Sequence, residues 1–285
     1  MSQQQSIFTS IFKIYTDVLV YRFKKLEMAN LIASLSIMLA LTMPYEDILI
    51  RTFFALILNL LVYLHNDICD VEQDLASPKK QSESVQFLLD HLYAANIGQY
   101  VLVAILFGIA LSYSYDLILV LIICIPTYWL YSEKWKHMPI YDVIGMVMAG
   151  AFMPLVAFPL HSGIGWSLTL LLACFAGSFE AIQVMRDYEE DKLAKIKTTA
   201  VILGIKKTRM TFAAIMIFAS VYTILMLNVF AGPLLLLCLI LPFSLKKLES
   251  YWNQVRVICG LSWLIILMHL AYTGTTSGWL YQITL

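Results

Sequence analysis

The chain has 285 residues, is 60% hydrophobic and 13% charged, and has a mean hydropathy of +0.78. Soluble domains carry about 25% charged residues, so a chain with half that share cannot cover its surface in water, and lipid must cover much of it. The formal net charge is zero, so the information lies in where the charges stand.

The opening residues Met1 to Ser6 are polar and uncharged, with no short apolar stretch and small-residue cleavage site behind them, which argues against a cleaved signal peptide. From Ile7 to Leu26, Ile7, Ile11, Ile14, Tyr15 and Val18 recur at helical spacing. Lys13, Arg22, Lys24 and Lys25 accompany them, which predicts an amphipathic helix against headgroups. Nine apolar segments follow, at 27–43, 47–65, 92–112, 115–131, 141–160, 164–185, 209–230, 232–247 and 254–273. Segments of about 20 apolar residues cross a ~30 Å hydrocarbon core as helices, and the alternation of a β-barrel strand is missing. The expected fold is all-α: a polytopic membrane bundle of nine transmembrane helices, with 1–26 as an N-terminal amphipathic segment and 27–285 as a single domain. The five cysteines are scattered, form no CxxC pair and read as small packing residues.

The basic residues test the count. With nine spans, 18 of the 19 Lys and Arg fall on one side of the membrane, and only Arg51 falls on the other. The positive-inside rule makes the rich side cytoplasmic, which places the N-terminus there too. The connections on the poor side are short and nearly chargeless, leaving the cytoplasmic face for chemistry.

Two acidic clusters lie on that face. The second span runs into Asn66-Asp67-Ile68-Cys69-Asp70-Val71-Glu72-Gln73-Asp74, and on a continued helix Asn59, Tyr63, Asn66, Asp70 and Asp74 share one face. The sixth runs into Arg186-Asp187-Tyr188-Glu189-Glu190-Asp191, where Glu180, Gln183, Asp187 and Asp191 form a matching stripe. Together the clusters hold eight of the 19 acidic residues. Carboxylates four apart on one helix repel unless a cation or protons intervene. Intramembrane polar residues such as Asn59, Glu180 and Gln183 are costly and mark sites. Hard oxygen ligands at this spacing suit Mg²⁺ shared with substrate phosphates. Lys79, Lys80, Lys134, Lys136, Lys192, Lys195 and Lys197 stand near the acids and could neutralise phosphoryl oxygens. His65 and His137 border the clusters without zinc spacing, and no glycine-rich nucleotide loop or nucleic-acid-binding pattern appears. Asp116 and Asp142 open helices, where a first-turn acid needs no catalytic role.

These residues carry a resemblance to the UbiA superfamily of intramembrane prenyltransferases. Its NDxxDxxxD motif reads as Asn66, Asp67, Asp70 and Asp74; its DxxxD motif reads as Asp187 and Asp191, followed by Lys197-Thr198-Thr199-Ala200 and Gly204. A family-like Tyr-Ser and basic segment appears as Tyr131-Ser132-Glu133-Lys134-Trp135-Lys136. Two positions depart from the pattern: Lys80 replaces the arginine expected to bind diphosphate, losing the bidentate fork, and Lys195 stands near where a glycine is common.

The resemblance implies a nine-helix bundle in which Asp67, Asp70, Asp74, Asp187 and Asp191 position Mg²⁺. It assigns catalysis to Asp70, Asp187, Lys80 and Lys197. Substrate contacts fall to Asn59, Tyr63, Asn66, Tyr131, Lys134, Lys136, Glu180 and Gln183. The implied partners are an isoprenyl diphosphate and a lipophilic, aromatic or other nucleophilic acceptor. Three alternatives stay open: a membrane terpene cyclase that needs no acceptor, a branch that transfers phosphoribose onto polyprenyl phosphate, and a transporter or scaffold with a cation-binding mouth. Pro126, Pro154 and Pro159 are compatible with the broken helices of the last.

Overall fold

A computed structural model describes residues 6–25, 27–76 and 82–280. Among them the regular elements are all helices, and six are long and apolar enough to cross a membrane: Tyr45–Ala76, Leu92–Tyr113, Tyr115–His137, Gly163–Arg186, Ile205–Leu227 and Leu245–Thr273. Three further apolar helices, Ala29–Ala40, Tyr141–Ala157 and Ala231–Ile240, are shorter. Each of the nine predicted segments therefore coincides with an apolar helix, six of them of spanning length.

In chain order the helices are α1 (Ile7–Lys24), α2 (Ala29–Ala40), α3 (Tyr45–Ala76), α4 (Glu83–Asp90), α5 (Leu92–Tyr113), α6 (Tyr115–Glu133) and α7 (Tyr141–Phe152). They continue with α8 (Gly163–Arg186), α9 (Tyr188–Leu193), α10 (Thr199–Leu203), α11 (Ile205–Tyr222), α12 (Ala231–Ile240) and α13 (Leu248–Thr273). Ser6 caps α1 through its side chain, which accepts from the Thr9 amide. Ser10, Ile11, Ile14 and Val18, at spacings matching one helix face, are buried. The Tyr15 hydroxyl donates to the Gly98 carbonyl of α5 at 2.6 Å. A Cβ at Gly98 would stand 3.1 Å from that ring, so the glycine makes room for the contact. Phe8, Phe12 and Phe23 of α1 point outward and are exposed.

The α3 helix has 32 residues, which at the α-helical rise makes it about 48 Å long. That exceeds a ~30 Å hydrocarbon core, so its last turns, bearing Asn66 to Asp74, can project beyond the apolar layer. Two helices depart from regular geometry inside the bundle. α7 passes through Pro154 into a 3₁₀ turn at Met153–Ala157, freeing backbone carbonyls in an apolar interior, where each needs a donor. Buried Arg51 supplies it, donating from Nη1 to the Val156 carbonyl at 2.8 Å and more weakly to Phe158 at 3.5 Å. The basic residue that the sequence count set apart from the other 18 thus satisfies a broken helix. α11 ends in a π turn at Thr223–Leu227, after which the Asn228 side chain accepts from the amides of Phe230 and Ala231 and starts α12.

Small residues bring α7 and α8 together. A Cβ at Gly150 would meet the Ala176 Cβ at 2.5 Å, and one at Gly177 would meet a Val147 methyl at 2.5 Å. Four of the cysteines are buried packing residues and Cys69 is exposed.

Candidate active site

The first acidic cluster occupies the end of α3, and each of two carboxylates is met by a cation from elsewhere in the chain. Asp67 pairs with Arg22 of α1, and Asp70 pairs with Lys136 from the 3₁₀ turn Trp135–His137 that follows α6. Asn66 donates to Asp70 at 3.0 Å and lies 3.5 Å from the Lys136 ammonium, so it orients that pair. Arg22 also pairs with Glu27 at 2.6 Å and lies 4.5 Å from the centre of the Tyr63 ring, whose hydroxyl donates to the Glu27 carbonyl. Burial opposes the charge of the Arg22 guanidinium, but Asp67 and then Glu27 outweigh it and hold it above its ordinary value.

The second cluster differs from the continuous stripe expected from the sequence. α8 ends at Arg186, and Asp187, at φ −88° and ψ 3°, joins it to the short α9. Arg186 grips the Asp187 carboxylate at 2.9 and 3.2 Å and reaches Glu249 of α13 at 3.2 Å. This local pairing accompanies the bend at the junction. Asp191, one turn further, accepts a hydrogen bond from Thr198 Oγ1 at 3.1 Å. Burial pushes the Asp191 carboxyl up to about 6, against the Thr198 hydrogen bond and together with Asp187, Glu190 and Asp142. Lys195 adopts φ +58°, the left-handed conformation that glycine reaches at least cost.

The 131–142 segment meets the first cluster and comes within electrostatic range of the second. Besides Lys136 on Asp70, it carries Tyr131, whose hydroxyl lies 3.4 Å from Glu180 and which stands within electrostatic range of Asp70 and Asp142. Gly145 makes the Tyr131 position available, because a Cβ there would stand 2.5 Å from its ring. Asp142, fully buried, accepts hydrogen bonds from the amide and the hydroxyl of Thr199.

Most of the residues picked from the sequence fall in these two half-sites: Asn66, Asp67, Asp70, Asp74 and Tyr63 on α3; Tyr131 and Lys136 on the connecting segment; Glu180, Asp187 and Asp191 around the end of α8. Others are placed differently. Asn59 is buried and turns its amide onto the Ala55 carbonyl of its own helix, with its oxygen lacking a hydrogen-bond partner. Gln183, Lys134 and Lys197 are exposed. Lys79 and Lys80 lie outside the described residues. His65 stacks on Trp129 at 3.8 Å and meets Gln99 at 3.1 Å, a packed histidine.

Two residues escaped the sequence reading. Arg22 looked like one of four headgroup-facing cations; its pairing with an acid 45 positions away leaves no local signal. Asp142 looked like an ordinary first-turn acid, whereas its partner lies 57 positions on.

The donors available for a cation are hard carboxylate and amide oxygens, which suits Mg²⁺. Among the described residues no group of three or more His, Cys, Asp or Glu closes around one point. A Mg²⁺ ion at either helix end would thus keep water or phosphate oxygens in its shell, as it commonly does.

The UbiA prenyltransferase family model matches residues 29–255. No curated protein matches the sequence significantly. Two solved structures share the fold. The first, from work on digeranylgeranylglyceryl phosphate synthase in membranes, is 18% identical, with a TM-score of 0.66 over 93% of this chain and 100% of that one. The second, the apo structure of a UbiA homolog from Aeropyrum pernix K1, is 14% identical, with a TM-score of 0.57 over 82% of this chain and 97% of that one. At these identities the structural likeness speaks for the fold; the family match covers most of the chain, including both acidic clusters, and the chain belongs to the UbiA prenyltransferase family.

Proposed function

We propose that this protein ionises an isoprenyl diphosphate at the cytoplasmic ends of α3 and α8 and transfers the prenyl group to a lipophilic acceptor, an aromatic ring being the leading candidate. The observation that carries this reading is the first cluster: the full NDxxDxxxD set at the end of one long helix, with Asp67 and Asp70 each held by a basic residue from a different part of the chain. Asp67, Asp70, Asp74, Asp187 and Asp191 are the residues that would hold Mg²⁺. When bound, the metal supplies Lewis-acid stabilisation of the negative charge on the departing diphosphate.

The chain's own residues then have distinct tasks. The allylic C–O bond breaks and its electron pair leaves with the diphosphate. Arg22 and Lys136 can exchange their carboxylates for phosphoryl oxygens, the guanidinium with the two-pronged geometry that phosphate favours. Arg22 thereby offers the fork that Lys80 lacks. Asn66 keeps Asp70 oriented. The acceptor's π electrons form the new C–C bond and its ring proton passes to the departed diphosphate. Tyr131 and Glu180 provide polar groups at the inner edge of the site, where an acceptor hydroxyl could hydrogen-bond. The helices around them are apolar enough to house the isoprenoid tail.

The three shorter apolar helices complete a nine-span bundle in this reading, with the N-terminus and both clusters on the cytoplasmic side. α1 lies along the interface with Phe8, Phe12 and Phe23 toward lipid. Incubating the purified full chain with prenyl diphosphates of several lengths in Mg²⁺, with and without aromatic acceptors, tests the proposal. A prenylated acceptor supports it. A cyclic hydrocarbon formed without acceptor would make the protein a terpene cyclase, and substrate flux without chemical turnover would make it a transporter.

A further inference from the structure

The two acidic half-sites sit on separate helices, and a distinct feature joins the loops that serve them. The 134–140 loop delivers Lys136 to Asp70. The 194–199 loop delivers Thr198 to Asp191. These loops meet at three residues. Asp142 has no solvent exposure, and its carboxylate accepts from the Val143 amide at 2.8 Å, the Thr199 amide at 2.6 Å and the Thr199 hydroxyl. The Thr199 oxygen in turn accepts from the Ile140 amide at 2.5 Å. Ile140 stands at φ +75° and ψ −43°, a conformation that a β-branched residue adopts only when its surroundings impose it.

We propose that Asp142, acting through Thr199 and Ile140, is a positioning residue that sets the two half-sites of the reaction against each other. The inference rests on the prenyl diphosphate reading for its chemistry but not for its geometry. A buried carboxylate among apolar segments needs compensation, and Asp142 receives it from the Val143 amide of its own helix and from Thr199 of the second loop, whose oxygen in turn holds the Ile140 amide of the first. A strained Ile140 amide aimed at Thr199 gives the first loop a single register, and the neighbouring Thr198 bond gives the second loop its hold on Asp191. Loosening the tie separates the Lys136–Asp70 end from the Asp191 end, so the clamp affects how well one metal–diphosphate unit is shared, more than how stable either helix is.

The experiment uses the full chain in detergent with Thr199→Val, which deletes the hydroxyl and keeps both shape and amide, and Thr199→Ser, which keeps the hydroxyl. Two readouts are taken. The first is hydrogen exchange without substrate. One lost hydrogen bond to a charged group is worth about a tenfold change in a local equilibrium. In Thr199→Val, exchange at 134–140 and at 194–199 is expected to quicken together by about tenfold, with α8 and α3 unchanged and Thr199→Ser like the parent. The second is Mg²⁺ titration of prenyl diphosphate consumption, where Thr199→Val is expected to need about tenfold more Mg²⁺ for half-maximal rate while its maximal rate falls less. Exchange that quickens in one loop only, or uniformly over the bundle, overturns the clamp, as does an unchanged Mg²⁺ requirement in an active enzyme. Should the parent protein consume no prenyl diphosphate, the functional reading fails by itself and the coupled exchange alone decides the clamp.

Discussion

Replacing Arg22 by Gln removes one of the two cations that meet the first acidic cluster in the absence of metal. The Arg22 side chain is 13% exposed and that of Asp67 22%, so the pair is screened less than a surface ion pair, and the variant leaves Asp67 facing Asp70 and Asp74 on the same helix end without its guanidinium. A charge-assisted hydrogen bond of this kind contributes about 1.5–3 kcal/mol. With residual solvent access, about 2 kcal/mol is a reasonable loss. For a chain of this size that corresponds to a fall of roughly 4–8 °C in melting temperature. The sign with metal is the distinguishing part. Arg22 and a divalent cation compete for the same carboxylate, so Mg²⁺ should stabilise the variant more than the parent and restore most of the loss. The assay is thermal unfolding in detergent followed by tryptophan fluorescence, once with EDTA and once with Mg²⁺. Equal losses in the two conditions would show that Arg22 merely anchors α1. No loss in either would show that the pair contributes nothing, and the proposed exchange of Arg22 from carboxylate to phosphate would lose its basis.

Arg51→Met should destabilise the protein by about 1–3 kcal/mol, because the Val156 carbonyl loses its donor at the break in α7; denaturation of the parent and the variant in the same detergent measures it, and a neutral result would mean that another donor serves that carbonyl. Gly145→Ala places a methyl 2.5 Å from the Tyr131 ring and should cost about 1–3 kcal/mol if the ring stays. If the ring instead shifts away from Glu180, stability is largely kept and prenyl transfer falls, so paired melting and activity measurements separate the two outcomes. Gly150→Leu meets Ala176 and the Leu172 carbonyl within 3 Å and should lower folded yield sharply, since backbone cannot yield as a flexible side chain does; normal yield would contradict the close α7–α8 contact.

The parts of the molecule legible in its sequence are those governed by local pattern. The apolar runs mark the helices because helix length and hydropathy are properties of contiguous residues, and the Asn66 to Asp74 face follows from the 3.6-residue period of one uninterrupted helix. Nonlocal pairing was not legible. Nothing within several turns of Arg22 says that it meets Asp67 rather than headgroups, and Asp142 has the same neighbours in sequence as any acid that opens a helix. The continuous stripe from Glu180 to Asp191 is interrupted, because α8 ends at Arg186 and α9 starts at Tyr188, and the Arg186 contact with Glu249 of α13 beside that junction is another pairing the local sequence does not signal.

The most direct test of prenyl diphosphate ionisation between the two helix ends is mass-spectrometric product analysis of the folded parent, Asp70→Ala and Asp187→Ala, each given a panel of prenyl diphosphates and aromatic acceptors in Mg²⁺. The parent should release diphosphate and prenylate an acceptor, and both variants should lose that product by a hundredfold or more, on the order of an electrostatic contact made to the transition state. Undiminished product in both folded variants, or a parent that leaves every prenyl diphosphate intact, would contradict it.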